Sequence, residues 1–254
     1  MPMHVIITRP SEDAETFARE VARLGATPVL SPVMAIRPRK IAIDLGGVSA
    51  LAFTSANGVR AFSALSAERD VKVFAVGTAT AEAARLAGFQ DIEAAQGDVE
   101  SLAALISASK PTPSALHLAG SERAGDLLGL LSASGVAARR EVIYDADEIA
   151  TLSPEAAAIL ADREQKSLVV FFSPRSARLF LAQAARAAPA LRLDAAEALC
   201  LSGAIAAAAE GGGWSAVRIA RELTAAAMLR EIEDALAERK GRMIAPREAP
   251  RGRL

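Results

Sequence analysis

Small hydroxyl residues recur where apolar runs give way to helical stretches: Thr8, Thr54 and Ser55, Thr78 and Thr80, Ser121, Ser173, Ser202 and Thr224. A hydroxyl or backbone N–H at such a turn is a neutral hydrogen-bond donor, and a helix start adds the positive end of the peptide dipole. That chemistry suits carboxylates and needs no lysine patch. Each hydroxyl taken alone is also an N-cap serving its own helix, so the argument for a ligand rests on repetition in both halves of the chain. The single tyrosine, Tyr144, adds a second capability. It lies in Glu141-Val142-Ile143-Tyr144-Asp145, where a phenol either gives a proton to a leaving oxygen or packs at a hinge.

Other chemistries find little support. One cysteine, Cys200, and two histidines, His4 and His117, offer no metal-ligand spacing, so no metal is expected. His117, inside the apolar run from Ala115 to Ala119, reads as a core histidine, and Cys200, between two leucines, as a small core hydrophobe. No Gly-x-Gly-x-x-Gly follows a strand, and Gly120-Ser121-Glu122-Arg123-Ala124-Gly125 lacks the glycine needed for close approach, so no nucleotide cofactor is expected. A net charge of −1 argues against an electrostatic nucleic-acid binder. The N-terminus MPMHVIITRP is not a signal peptide and no apolar run is long enough to span a bilayer. The expectation is a cytoplasmic monomer with neither nucleic-acid nor membrane partners.

The elements that must position these groups alternate strand and helix. Runs rich in valine, isoleucine and phenylalanine predict strands at His4 to Thr8, Thr27 to Ile36, Ala50 to Thr54, Lys72 to Val76, Ser114 to Leu118, Arg139 to Tyr144, Leu168 to Phe172, Ala198 to Leu201 and Ala216 to Ile219. Alanine-rich helices lie between them; one is capped by Ser11, runs to Leu24 and ends at Gly25. The class is α/β with parallel sheets. Three motifs repeat in order. Phe53-Thr54-Ser55-Ala56-Asn57 matches Phe172-Ser173-Pro174-Arg175-Ser176; Val76-Gly77-Thr78-Ala79-Thr80 matches Leu201-Ser202-Gly203-Ala204-Ile205; and Gly97 to Leu102 matches Ala220 to Thr224. The layout is a discontinuous domain of residues 1–36 and 149–240, an inserted domain of 41–138, and connections at 37–40 and 139–148. Residues 241–254, with four arginines against one glutamate, read as a disordered basic tail.

Together these motifs resemble the uroporphyrinogen-III synthase family over about residues 4–236: Ile7-Thr8-Arg9-Pro10, the Phe53 to Val59 turn, Val76 to Ala81, Gly97 to Leu102, Val142-Ile143-Tyr144, Phe172-Ser173-Pro174 and Thr224. The resemblance implies two flavodoxin-like parallel-sheet domains joined by a two-stranded β-ladder. It further implies closure of the linear tetrapyrrole hydroxymethylbilane to uroporphyrinogen III, with loss of water and inversion of ring D, using neither metal nor cofactor. It assigns Tyr144 as the acid, and Thr8, Arg9, Thr54, Ser55, Asn57, Gly77, Thr78, Thr80, Ser121, Arg123, Ser173, Ser202, Gly203 and Thr224 as substrate contacts. The chain departs from the family pattern at Ser202-Gly203-Ala204-Ile205, at Leu223 in place of a proline, and at Ala119 in place of an arginine. A non-catalytic tetrapyrrole- or polycarboxylate-binding module of the same fold is the alternative.

Overall fold

The computed structural model describes residues 3–122, 125–187 and 191–244. In chain order it begins β1 (His4–Ile7), α1 (Ser11–Arg23), β2 (Thr27–Leu30), β3 (Met34–Pro38), β4 (Ala50–Phe53), α2 (Ala56–Leu65), β5 (Lys72–Ala75) and α3 (Thr78–Leu86). It continues β6 (Ile92–Ala94), α4 (Val99–Ser109), β7 (Ala115–Gly120), α5 (Leu127–Ala133), β8 (Ala138–Glu148) and α6 (Pro154–Ala161). Then come β9 (Ser167–Phe171), α7 (Pro174–Ala187), β10 (Ala196–Cys200), α8 (Gly203–Ala209), β11 (Ala216–Ile219) and α9 (Ala225–Ile244).

Two compact units result, one of residues 1–33 and 149–254 and the other of residues 34–148. The first has a five-stranded sheet ordered β11-β10-β9-β1-β2, parallel throughout. Its strands are nearly continuous apolar runs because both faces are covered, as all-parallel sheets require. Val5, Ile7, Leu168, Val170 and Leu199 meet Phe17 and Val21 of α1 and Met228 and Ile232 of α9 in one core. The second unit has a six-stranded sheet ordered β3-β8-β7-β4-β5-β6. All of it is parallel except β3, which runs antiparallel to β8. One face packs Phe53, Phe62, Phe89, Leu116, Leu118 and Tyr144; the other packs Phe74, Leu102, Ile106, Leu127 and Leu131.

The repeated motifs fall on equivalent elements. In each sheet three strands lie side by side in chain order, β4-β5-β6 and β9-β10-β11, and two more flank the first of them, β7-β8 and β1-β2. The units therefore share one arrangement with the chain entering it at different points. In the second the flanking pair follows the triplet; in the first it precedes it.

Several boundaries differ from expectation. The strand expected from Thr27 to Ile36 divides at Ser31–Val33. The Ser31 N–H still donates to Ile7 and that of Val33 to Thr8, but Pro32 has no N–H to continue the ladder, and the chain then passes to the other sheet. The strand β6 is an addition to the expected set; its three residues are too few to show a period. Pro10, not Ser11, is the N-cap of α1, so Ser11 opens the helix. The stretches expected as connections are mostly strand: β8 pairs with β7 through its first half and with β3 through its second. Ion pairs of 2.7 Å, Arg37 with Asp147 and Arg39 with Asp145, tie that antiparallel ladder. The helix α9 reaches Ile244, because good helix formers on either side carry it past Gly241 into the stretch expected as a tail. Residues 245–254 lie outside the described residues.

Candidate functional site

In the 34–148 unit the chain order reverses between β4 and β7, and such a crevice beyond the strand ends is where doubly wound sheets take ligands. Tyr144 is brought there by a slip in register. Ala119 pairs with Val142, yet Gly120 pairs with Tyr144, so Ile143 is an extra residue, a bulge that re-aims the side chain after it. The bulge sits where β8 leaves β7 for β3, and the Ile143 carbonyl accepts the Arg39 N–H instead. Opposite Gly120, the Tyr144 ring lies so close that a Cβ on that glycine would fall 2.7 Å from it. No other residue type leaves room for the ring.

The Tyr144 hydroxyl shares a hydrogen bond with Ser55, the N-cap of α2, whose oxygen also accepts the Asn57 N–H at 3.1 Å. Asn57 in turn accepts from the Arg60 guanidinium at 2.6 Å. Burial holds the phenol above its ordinary pKa; the Ser55 bond, a backbone bond at Gly120, Arg140 and Arg60 all pull the other way. The phenol thus keeps its proton while charge and donors stand ready to support its anion.

The turn after β7 is fastened by β8. Arg140 donates to the Gly120 carbonyl and, at 3.4 Å, to those of Ser121 and Glu122. The Ser121 N–H donates to the Tyr144 carbonyl at 3.0 Å. Asp145 is held below the usual carboxylate range by Arg39 and, secondarily, by the Ser121 hydroxyl. Beneath them Thr54 bonds the His117 ring at 3.2 Å through Nε2. Burial, aided by Arg140, lowers the His117 pKa to about 4, so the imidazole is a neutral core group.

Gly77 caps α3 with extended backbone and no side-chain bond, leaving the first-turn N–H groups without intrahelical partners. Most other helices cap themselves: Ser55, Asp98, Asp126, Ser153, Ser173 and Thr224 each bind an N–H of their own first turn. Thr78 is exposed on α3 while Thr80 is turned inward.

In the other unit the expected contacts sort differently. Thr8 is fully buried, its hydroxyl donating to the Val170 carbonyl at 2.7 Å. It ties the end of β1 to the end of β9. Arg9, the next residue, lies over the Phe172 ring at 4.3 Å. Ser202 caps α8 without a side-chain bond, and Gly203 after it is exposed. Ile205, at the family departure, is buried in α8. Ser173 bonds Ser176, 2.8 Å away, besides capping α7.

Ser55, Asn57, Ser121 and Tyr144 are therefore linked by hydrogen bonds in one unit, Thr54 beside Ser55 bonds His117 instead, and Thr8 is spent inside the fold. Arg123 lies outside the described residues. The sequence reading missed Arg60, Gly120, Arg140 and Phe172; the first and last flank recognised turns and were legible as neighbours, whereas Gly120 and Arg140 gain meaning only through strand pairing. Among the described residues, no group of three histidine, cysteine, aspartate or glutamate side chains is placed to hold a metal, and no helix is long and apolar enough to cross a membrane. Burial raises the Cys200 thiol to about 11.

A family model described as uroporphyrinogen-III synthase HemD matches residues 15–230. No curated protein sequence matches. Among solved structures, uroporphyrinogen-III synthetase from Helicobacter pylori is 17% identical with a TM-score of 0.66, over 94% of this chain and 100% of that one. A mutant uroporphyrinogen III synthase from the extremely thermophilic bacterium Thermus thermophilus is 21% identical with a TM-score of 0.51, over 93% and 99%.

Proposed function

Because the chain belongs to the uroporphyrinogen-III synthase family, we propose that it closes hydroxymethylbilane to uroporphyrinogen III, with loss of water and inversion of ring D. The observation that carries this reading is the phenol of Tyr144, protonated, packed on Gly120 and bonded to the cap of α2 beside the crevice. Tyr144 gives its proton to the hydroxyl leaving from ring A, and the cation that remains is stabilised by its own pyrrole nitrogen. Ring D attacks through its substituted carbon, forming a spiro intermediate that fragments and recloses inverted. The proton lost on reclosure restores the phenol. No strong nucleophile enters these steps.

The substrate carries eight carboxylates. Thr54, Ser55, Asn57, Thr78, Ser121 and the open start of α3 in one unit, with Arg9, Ser202, Gly203 and the α8 start in the other, supply donors for them. Gly77 lets the chain turn closely into α3, Ser173 and Thr224 cap the starts of α7 and α9, and Thr80 lies buried in the first turn of α3. Spontaneous closure gives the uninverted isomer, so the protein's main contribution is orientation. Metal and cofactor have no part in this reading, and the protein acts as a cytoplasmic monomer.

Supplying freshly made hydroxymethylbilane, oxidising the product and chromatographing the porphyrin isomers tests it. The type III isomer is expected. Type I alone, with retained affinity for the product, would instead identify a binding module, the reading favoured by the buried Ile205 at the departure in α8.

A further inference from the structure

In the unit of residues 1–33 and 149–254 the chain order reverses between β1 and β9. Thr8 and Arg9 follow directly on β1, and Phe172 directly on β9. Three contacts fix this corner. The buried Thr8 hydroxyl bonds the Val170 carbonyl and holds the two strand ends in register. Phe17, a core residue of α1, meets Phe172 edge to face, with centroids 5.1 Å apart and planes at 86°. The Arg9 guanidinium lies over the same Phe172 ring, 4.3 Å from its centroid. A ring face bears negative charge and attracts a guanidinium, whose N–H bonds lie in its own plane and suit a carboxylate.

We propose that Phe172 is a positioning residue: fixed by Phe17, it serves as the platform that presents Arg9 to a carboxylate of the substrate. This rests on Arg9 being one of the carboxylate contacts.

The test separates ring electrostatics from ring packing. Phenylalanines bearing one, two and three fluorines, placed at residue 172 of the full chain, keep the shape and apolar contacts while draining charge from the ring face. The Michaelis constant for hydroxymethylbilane is expected to rise stepwise with fluorine number, reaching roughly fivefold, with kcat changing less than KM and the thermal midpoint little altered. Phe172→Leu is expected to raise KM at least as far, and to add nothing in an Arg9→Met background. A flat KM across the fluorinated series, while Arg9→Met raises it, would overturn the platform and spare Arg9 as a contact. An unchanged KM in Arg9→Met would overturn both. Equal effects of Phe172→Leu with and without Arg9 would show that the ring acts only by packing, and would also overturn the proposal.

Discussion

Tyr144 holds its proton at neutral pH because burial disfavours the phenolate, which is the state an acid needs before the reaction. Tyr144→Phe keeps the ring against Gly120 and deletes one oxygen. It is expected to lower turnover by less than the ~100-fold typical of general acids, since this leaving group departs readily, while circular dichroism and the thermal midpoint stay near wild type. His117 has the opposite exposure to pH. Its folded pKa is about 4, against an ordinary 6.5, so between those values the unfolded chain binds a proton that the folded chain refuses. Stability should therefore fall as pH drops from about 6.5 towards about 4, by roughly 3 kcal/mol at most. Urea midpoints measured across that window should show the decline, and His117→Gln should flatten it. At this scale Tyr144, Ser55 and Asn57 were legible from type and place. Gly120 was not, because its pairing with Tyr144 depends on a one-residue slip in β8, and that slip exists because β3 captures the second half of the strand. Thr8 was visible as a strand end. Its inward direction was not, since the carbonyl that takes its hydroxyl belongs to Val170, far along the chain.

At the scale of elements, the helix starts divide into those that satisfy themselves and those left open. If α3 is open for an anion, placing a negative charge at its first residue should move stability and binding in opposite senses. Thr78→Asp is expected to stabilise the protein by a few tenths of a kcal/mol through the helix dipole. It should also weaken substrate binding by about 1 kcal/mol, a several-fold rise in KM that diminishes with added salt. Thermal melts and initial rates on one preparation check both signs, and a parallel loss in each would mean simple misfolding. Strand positions were largely legible because buried parallel strands are unbroken apolar runs such as Leu168-Val169-Val170-Phe171. The short edge strand β6 escaped, having Glu93 at its centre and no buried residue. The break between β2 and β3 escaped because the chain is strand on both sides of it; Pro32 marks the place, but the change of sheet shows only in the pairing.

For the whole molecule, the two units make different demands on the chain. Residues 34–148 are contiguous and contain a complete sheet with both of its cores. Expressed alone they should fold and unfold cooperatively in urea. Residues 149–244 alone should not, for they lack β1, β2 and α1, and with them Val5, Ile7, Phe17 and Val21 of the shared core; adding residues 1–33 as a separate peptide should restore some ordered signal. The doubled arrangement was legible in the repeated turns, but not the different point at which the chain enters each copy, because the matching motifs sit only on the three strands that share an order.

That offset also bears on synthesis. The β1 strand leaves the ribosome before the 34–148 unit, yet its partner β9 lies beyond that entire unit. At ~5–20 residues per second, the free strand edge of Val5, Ile6 and Ile7 waits on the order of ten seconds for Leu168, Val169 and Val170 to appear, while the later-made unit is already closing. β2 is made soon enough to pair one edge of β1, but the other edge is thus among the last to be paired, and it is the stretch a holding chaperone would be expected to cover.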